Sequence, residues 1–129
     1  MRITVDLDEP TKLEIRQAWN RLRNYGDGKV FGRVSSSGTG CHLKVHGFDG
    51  DLEDTVLPRL WCGDDTRRAY YDMDWNLKPK QIMFGSKPAD NNHAGDWRES
   101  LDHLLADYNL RAPTRIKDGP APKRFRNRL

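Results

Sequence analysis

The chain has 129 residues, 36% hydrophobic and 32% charged, with a formal net charge of +3. That length suits one domain with a modest core, and no apolar run approaches the ~18 residues a membrane span needs. The first residues lack a signal-peptide core, and Cys41 and Cys62, far apart and without CxxC spacing, point to neither a disulfide framework nor a cysteine zinc site.

A soluble, intracellular (cytoplasmic) protein without membrane contact is therefore expected. The charge is unevenly spread. Residues 111–129 carry seven basic side chains against the single acid Asp118, a net of +6, which leaves residues 1–110 at −3. The division predicts one α+β domain over 1–110 and a basic tail over 111–129, disordered in the free protein. Such a tail reads as a nucleic-acid arm, with Arg124 and Arg126 among its contacts.

Residues 2–8, RITVDLD, alternate as a strand, with Ile3, Val5 and Leu7 on one face and Thr4, Asp6 and Asp8 on the other. Two aspartates at this spacing lie roughly 6–7 Å apart along a strand, close enough to share or bridge divalent ions. Pro10 opens a helix over Thr11–Tyr25, whose Leu13, Ile15, Ala18, Trp19 and Leu22 have helical spacing, and Gly26-Asp27-Gly28 stops it. A second strand follows around Lys29–Val34, with Val30 and Val34 on one face and Phe31 and Arg33 on the other.

The turn Ser35–Gly40, SSSGTG, leads into a third strand, Cys41–His46. Gly38 and Gly40 allow positive φ and close approach to a ligand, and the serines with free backbone N–H groups make an anion cradle. On the strand, His42, Lys44 and His46 share one face, and Leu43 and Val45 the other. Leu52, Val56, Leu57 and Leu60 predict a short helix kinked at Pro58, and Arg68–Trp75 a fourth strand with Asp72 and Asp74 on one side. Lys80–Phe84 reads as a short extra strand and Ser86–Gly95 as a polar loop. Asp96–Tyr108 reads as a helix striped by Trp97, Leu101, Leu104, Leu105 and Tyr108.

The order β-α-β-β-α-β is that of a ferredoxin-like, or RNA-recognition-motif-like, sheet with helices on one face. The first and third strands are neighbours in that topology. Asp6 and Asp8 then lie beside His42 and Lys44 on the open face, and Asp72 or Asp74 reaches it from the fourth strand. Carboxylates without thiolates suit Mg²⁺ or Mn²⁺, and the turn with His42 and Lys44 suits nucleotide phosphates.

At these residues the chain resembles the archaeo-eukaryotic primase superfamily, which includes primase-polymerases. Its hydrophobic strand ending in DxD is matched by Val5-Asp6-Leu7-Asp8. Its serine, glycine turn and histidine are matched by Ser37-Gly38-Thr39-Gly40-Cys41-His42, and its later strand acid by Tyr71-Asp72, with Asp74 a rival. The resemblance spans about residues 2–75 and implies a metal-dependent nucleotidyltransferase of replication. By the resemblance, Asp6, Asp8 and Asp72 would be catalytic metal ligands, and Ser37 and His42 would bind the incoming nucleotide; the residue reading of the turn and strand adds Gly38, Gly40 and Lys44 to the nucleotide site. The implied partners are nucleotides, single-stranded DNA or RNA, and a helicase or other replication protein.

The same sheet without turnover would be a single-strand-binding module, with Phe31 and Arg33 meeting bases and phosphates. A rolling-circle nickase, which uses a histidine pair two apart, is disfavoured because His42 and His46 stand four apart.

Overall fold

The computed structural model describes residues 1–67 and 94–113. The expected strands at 68–75 and 80–84, with Asp72 and Asp74, lie outside the described residues, as do Arg124, Arg126 and all of the tail beyond Pro113. Among the described residues no helix is long and apolar enough to cross a membrane.

Strand β1 (Ile3–Asp8) buries Ile3, Val5 and Leu7 and turns Asp6 and Asp8 to the other side, as its alternation requires. Helix α1 (Lys12–Leu22) begins one step later than proline chemistry suggests. Thr11 is its cap: the Thr11 N–H donates to Glu14 Oε1 at 2.9 Å, and the Glu14 N–H donates to Thr11 Oγ1 at 3.3 Å. This reciprocal pair satisfies two amides that have no helical partner, and so outweighs proline's preference for the first turn. The helix ends at Leu22, short of the expected Tyr25, and buries Ile15, Ala18, Trp19 and Leu22.

Strands β2 (Val30–Val34) and β3 (Gly40–Val45) form a hairpin, and the sheet order is β1-β3-β2 with β3 antiparallel to both neighbours. The arrangement is α+β, and its split β-α-β core is compatible with a ferredoxin-like fold. Register places Asp6 opposite His42 and Thr4 opposite Lys44 on one side of β3, and Arg33 opposite His42 and Phe31 opposite Lys44 on the other.

A 3₁₀ turn (Glu53–Thr55) runs into helix α2 (Val56–Trp61). The apolar stripe expected here is rotated. Leu57 is 77% exposed and Leu60 37%, while Val56 and Arg59 point inward. Pro58 stands in the first turn, where its missing N–H removes no helical bond.

The last described helix, α3 (Leu101–Arg111), starts five residues later than expected and takes in Arg111, which the charge division assigned to the tail. Its delay has a tertiary cause. The Gly32 N–H donates to Arg98 O at 2.9 Å, the Arg98 N–H to Gly32 O at 2.7 Å, and the Gly95 N–H to Val34 O at 2.9 Å. Three steps of this segment oppose two on β2, so the chain bulges along the strand edge and stays extended through Trp97.

Leu104, Leu105 and Tyr108 join the same core as α1 and the inner faces of the strands. Any Cβ at Gly32 would come within 3.0 Å of Leu104, Leu43 and Trp19, so α1 and α3 both pack on that side of the sheet. Tyr108 Oη donates to the Pro10 carbonyl and ties α3 to the β1–α1 junction. Tyr108→Phe leaves that buried carbonyl unsatisfied, so urea unfolding should show a loss of about 1–3 kcal/mol.

Candidate functional site

The polar face of the sheet is organised by the way β1 meets β3. The Asp6 N–H and C=O both point to the outer edge of β1, where the first donates to Asp64 Oδ1 at 2.7 Å and the second accepts the Asp65 N–H at 3.2 Å. Asp6 and His42 are therefore a non-hydrogen-bonded cross-strand pair, the type whose side chains stand closest. His42 Nε2 lies 3.5 Å from Asp6 Oδ1, both side chains about one-fifth exposed. Asp8, two residues on and opposite Gly40, is exposed at the strand end. Glu9 follows with φ +47°, a left-handed turn that an L-residue adopts at a cost of about 1–2 kcal/mol, and this turns the chain sharply from β1 toward α1.

The turn between β2 and β3 differs from the open cradle its composition suggests. The Gly38 N–H donates to Ser35 O at 3.0 Å, the Thr39 N–H to Ser37 Oγ at 3.3 Å and the Gly40 N–H to Ser35 Oγ at 3.1 Å. Ser37 Oγ also lies 3.0 Å from Ser35 Oγ and 2.8 Å from Thr39 Oγ1. These three amides are used within the turn, which leaves the exposed Ser36 and Ser37 side chains at its surface. Both motif glycines also have structural duties. Gly38 has φ +79° and packs on the Arg111 carbonyl at the end of α3, and a Cβ on Gly40 would sit 2.6 Å from the Leu7 carbonyl.

The β2 side of the face is roofed by a residue that sequence periodicity assigned to helix packing. Trp97, delivered by the bulged segment, lies with its ring centroid 4.6 Å from Arg33 Cζ and 4.1 Å from Lys44 Nζ. The Lys44 ammonium is also 5.8 Å from the Phe31 ring, and Phe31 meets His46 edge-on. Arg33 is only 7% exposed, so it lies beneath this layer rather than open to solvent.

Burial lowers the pKa of Arg33, and burial together with Arg2 and Arg33 lowers that of Lys44. Cation–π attraction to Trp97 works against that cost. Beyond Phe31, a 410 Å³ cavity opens between the end of α1 and the start of β2, lined by Trp19, Arg23, Lys29, Phe31 and Glu99.

The structure thus brings Asp6, His42, Lys44, Arg33 and Phe31 onto one face, with Asp8 and Ser37 at its margin. Two strand carboxylates are hard oxygen donors that fit Mg²⁺ or Mn²⁺, and they would supply two ligands. No cluster of three or more His, Cys, Asp and Glu side chains able to hold a metal occurs among the described residues. Cys41 is buried on the core side, and burial, with Asp6 nearby, raises its thiol pKa.

Lys44 offers a direct test of this electrostatic picture. Lys44→Met keeps the stem and gains a sulfur contact with Trp97 while removing a half-buried charge. Its melting temperature at pH 7 should match or exceed that of the wild type, while its affinity for a polyanion such as oligo(dT) falls. The folded-state pKa is depressed, so the unfolded chain binds more protons and the wild type gains stability as pH rises toward the ordinary lysine value. The gap in melting temperature should therefore close at alkaline pH.

The chain matches no protein-family model, no curated protein and no solved structure, and its own geometry therefore carries the functional reading.

Proposed function

We propose that this chain is a metal-dependent nucleotidyltransferase of primase-polymerase type, acting on nucleic acid in replication. The observation that carries the reading is the pairing of Asp6 with His42 across β1 and β3, with Asp8 two residues along the same face. The reading is supported by the resemblance of Val5–Asp8 to the DxD strand and of Ser37–His42 to the serine–glycine–histidine pattern of that superfamily. Asp6 and Asp8 would hold Mg²⁺ or Mn²⁺ together with Asp72, which lies outside the described residues. The bound ion would lower the charge on a triphosphate and favour the attacking hydroxyl.

In this reading His42 and Lys44 orient the phosphates. Ser37 contributes a hydroxyl at the turn, and Gly38 and Gly40 shape it. Arg33, Phe31 and Trp97 form the neighbouring aromatic and cationic surface for single-stranded DNA or RNA, with Arg124 and Arg126 adding charge. A helicase or other replication protein would be the macromolecular partner.

A second reading, a single-strand-binding module without turnover, is favoured by the Trp97–Arg33–Lys44–Phe31 layer, because stacked aromatics and cations suffice for binding. The two readings separate in one assay. Labelled nucleotides, Mn²⁺ and a primed single-stranded template are supplied to the wild type and to Asp6→Ala/Asp8→Ala. Incorporation by the wild type that falls to background in the double variant is expected. A wild type that binds template without incorporation would leave the binding module.

A further inference from the structure

We propose that the buried Arg59–Asp64 ion pair is a positioning device for the Asp6 carboxylate, an inference that rests on reading Asp6 as a metal ligand. Both side chains of the pair are 0% exposed, and Arg59 Nε lies 2.8 Å from Asp64 Oδ2. The other carboxylate oxygen, Oδ1, accepts the Asp6 N–H at 2.7 Å. The next residue completes the grip, since the Asp65 N–H donates to the Asp6 carbonyl at 3.2 Å. One aspartate thus divides its oxygens between a buried guanidinium and the backbone of the residue that would bind metal.

Arg59 is itself seated. It reaches Thr55 Oγ1 at 3.5 Å, and the Thr55 hydroxyl donates to Leu52 O at 2.6 Å, which ties the pair to the turn before α2. Cys62, at the end of α2, belongs to the main core, so this support is anchored in the packed interior. Holding α2 against β1 would need only apolar side chains, and a buried ion pair is a poor source of stability compared with them. A charge-assisted bond to a backbone N–H differs in being short and directional. It fixes where the Asp6 amide lies, and the Asp6 Cβ direction toward His42 follows. Partners one shell removed from a metal commonly set its affinity in this way.

The test compares Mn²⁺ binding, read by electron paramagnetic resonance of free Mn²⁺, in wild type and in Arg59→Met/Asp64→Leu. The variant replaces the pair by apolar groups of similar reach. It should fold, with a cooperative melt and wild-type circular dichroism, yet bind Mn²⁺ roughly 10–100-fold more weakly. Undiminished Mn²⁺ affinity in the folded variant would overturn the positioning role alone. Absence of Mn²⁺ binding in the wild type would overturn the metal reading and the role with it.

Should the double variant fail to fold, Asp64→Asn decides. Its single amide oxygen cannot accept from both Arg59 and the Asp6 N–H, so Mn²⁺ affinity should fall at temperatures where the variant remains folded. Undiminished Mn²⁺ affinity in the folded Asp64→Asn variant would overturn the positioning role and mark the pair as structural only.

Discussion

The register of β3 is the constraint on which the candidate site depends. Side chains alternate along a strand, so a slip of one residue would carry His42 and Lys44 into the core and expel Leu43 and Val45. Three features resist such a slip. Cys41, Leu43 and Val45 are fully buried against the helices. The Ser35 N–H closes the hairpin on Gly40 O at 2.9 Å. Gly40 passes so close to the Leu7 carbonyl that a side chain moved into its place would collide with backbone. Each fixes the same pairing, and agreement between local turn chemistry and core packing is what makes a register unique.

That register divides the polar face into unlike halves. Asp6 and Asp8 make the β1 half acidic, and Arg33 and Lys44 make the β2 half basic, with His42 between them. The halves are also solvated differently. Asp8 is exposed, whereas Arg33 and Lys44 lie beneath or beside Trp97 and have depressed pKa values. A cation held at partial desolvation interacts more strongly with an arriving anion than one in bulk water does. On the proposed reading, the basic half would meet phosphate and the acidic half the metal that accompanies it.

Much of this was legible in the residues themselves. The alternation in Ile3–Asp8 and Cys41–His46 follows from burying one face, and it placed the acids and the histidine correctly. The parts that escaped depend on which groups pair in space, whether near or far in sequence. Trp97 fits a helical stripe with Leu101, Leu104 and Tyr108, yet hydrogen bonds to Gly32 hold it extended and send its ring to the opposite face. Arg59 lies among apolar residues that make better core candidates, and its pairing with Asp64, with Thr55 beside it, makes its burial tolerable. In the serine-rich turn, the Thr39 and Gly40 amides that suggested an anion cradle are satisfied by the Ser37 and Ser35 hydroxyls. The Thr11–Glu14 cap escapes a reading that starts the helix at Pro10, although a threonine three residues before a glutamate is the signal that finds it.

The two carboxylates of β1 are supported very unequally, and this inequality has chemical consequences. Asp6 has both backbone groups held at the strand edge and its side chain beside His42. Asp8 ends the strand, exposed, ahead of a left-handed Glu9, and its side chain has room to change rotamer. Mg²⁺ demands near-octahedral geometry and gives up water reluctantly. A fixed carboxylate can define where such an ion sits, and a mobile one can adjust as waters are exchanged for phosphate oxygens. Rigidity at both positions would oppose that exchange, and mobility at both would leave the ion without a defined place. On the proposed reading, the buried ion pair behind Asp6 and the exposed strand end at Asp8 would divide two demands that a single rigid pair could not meet together.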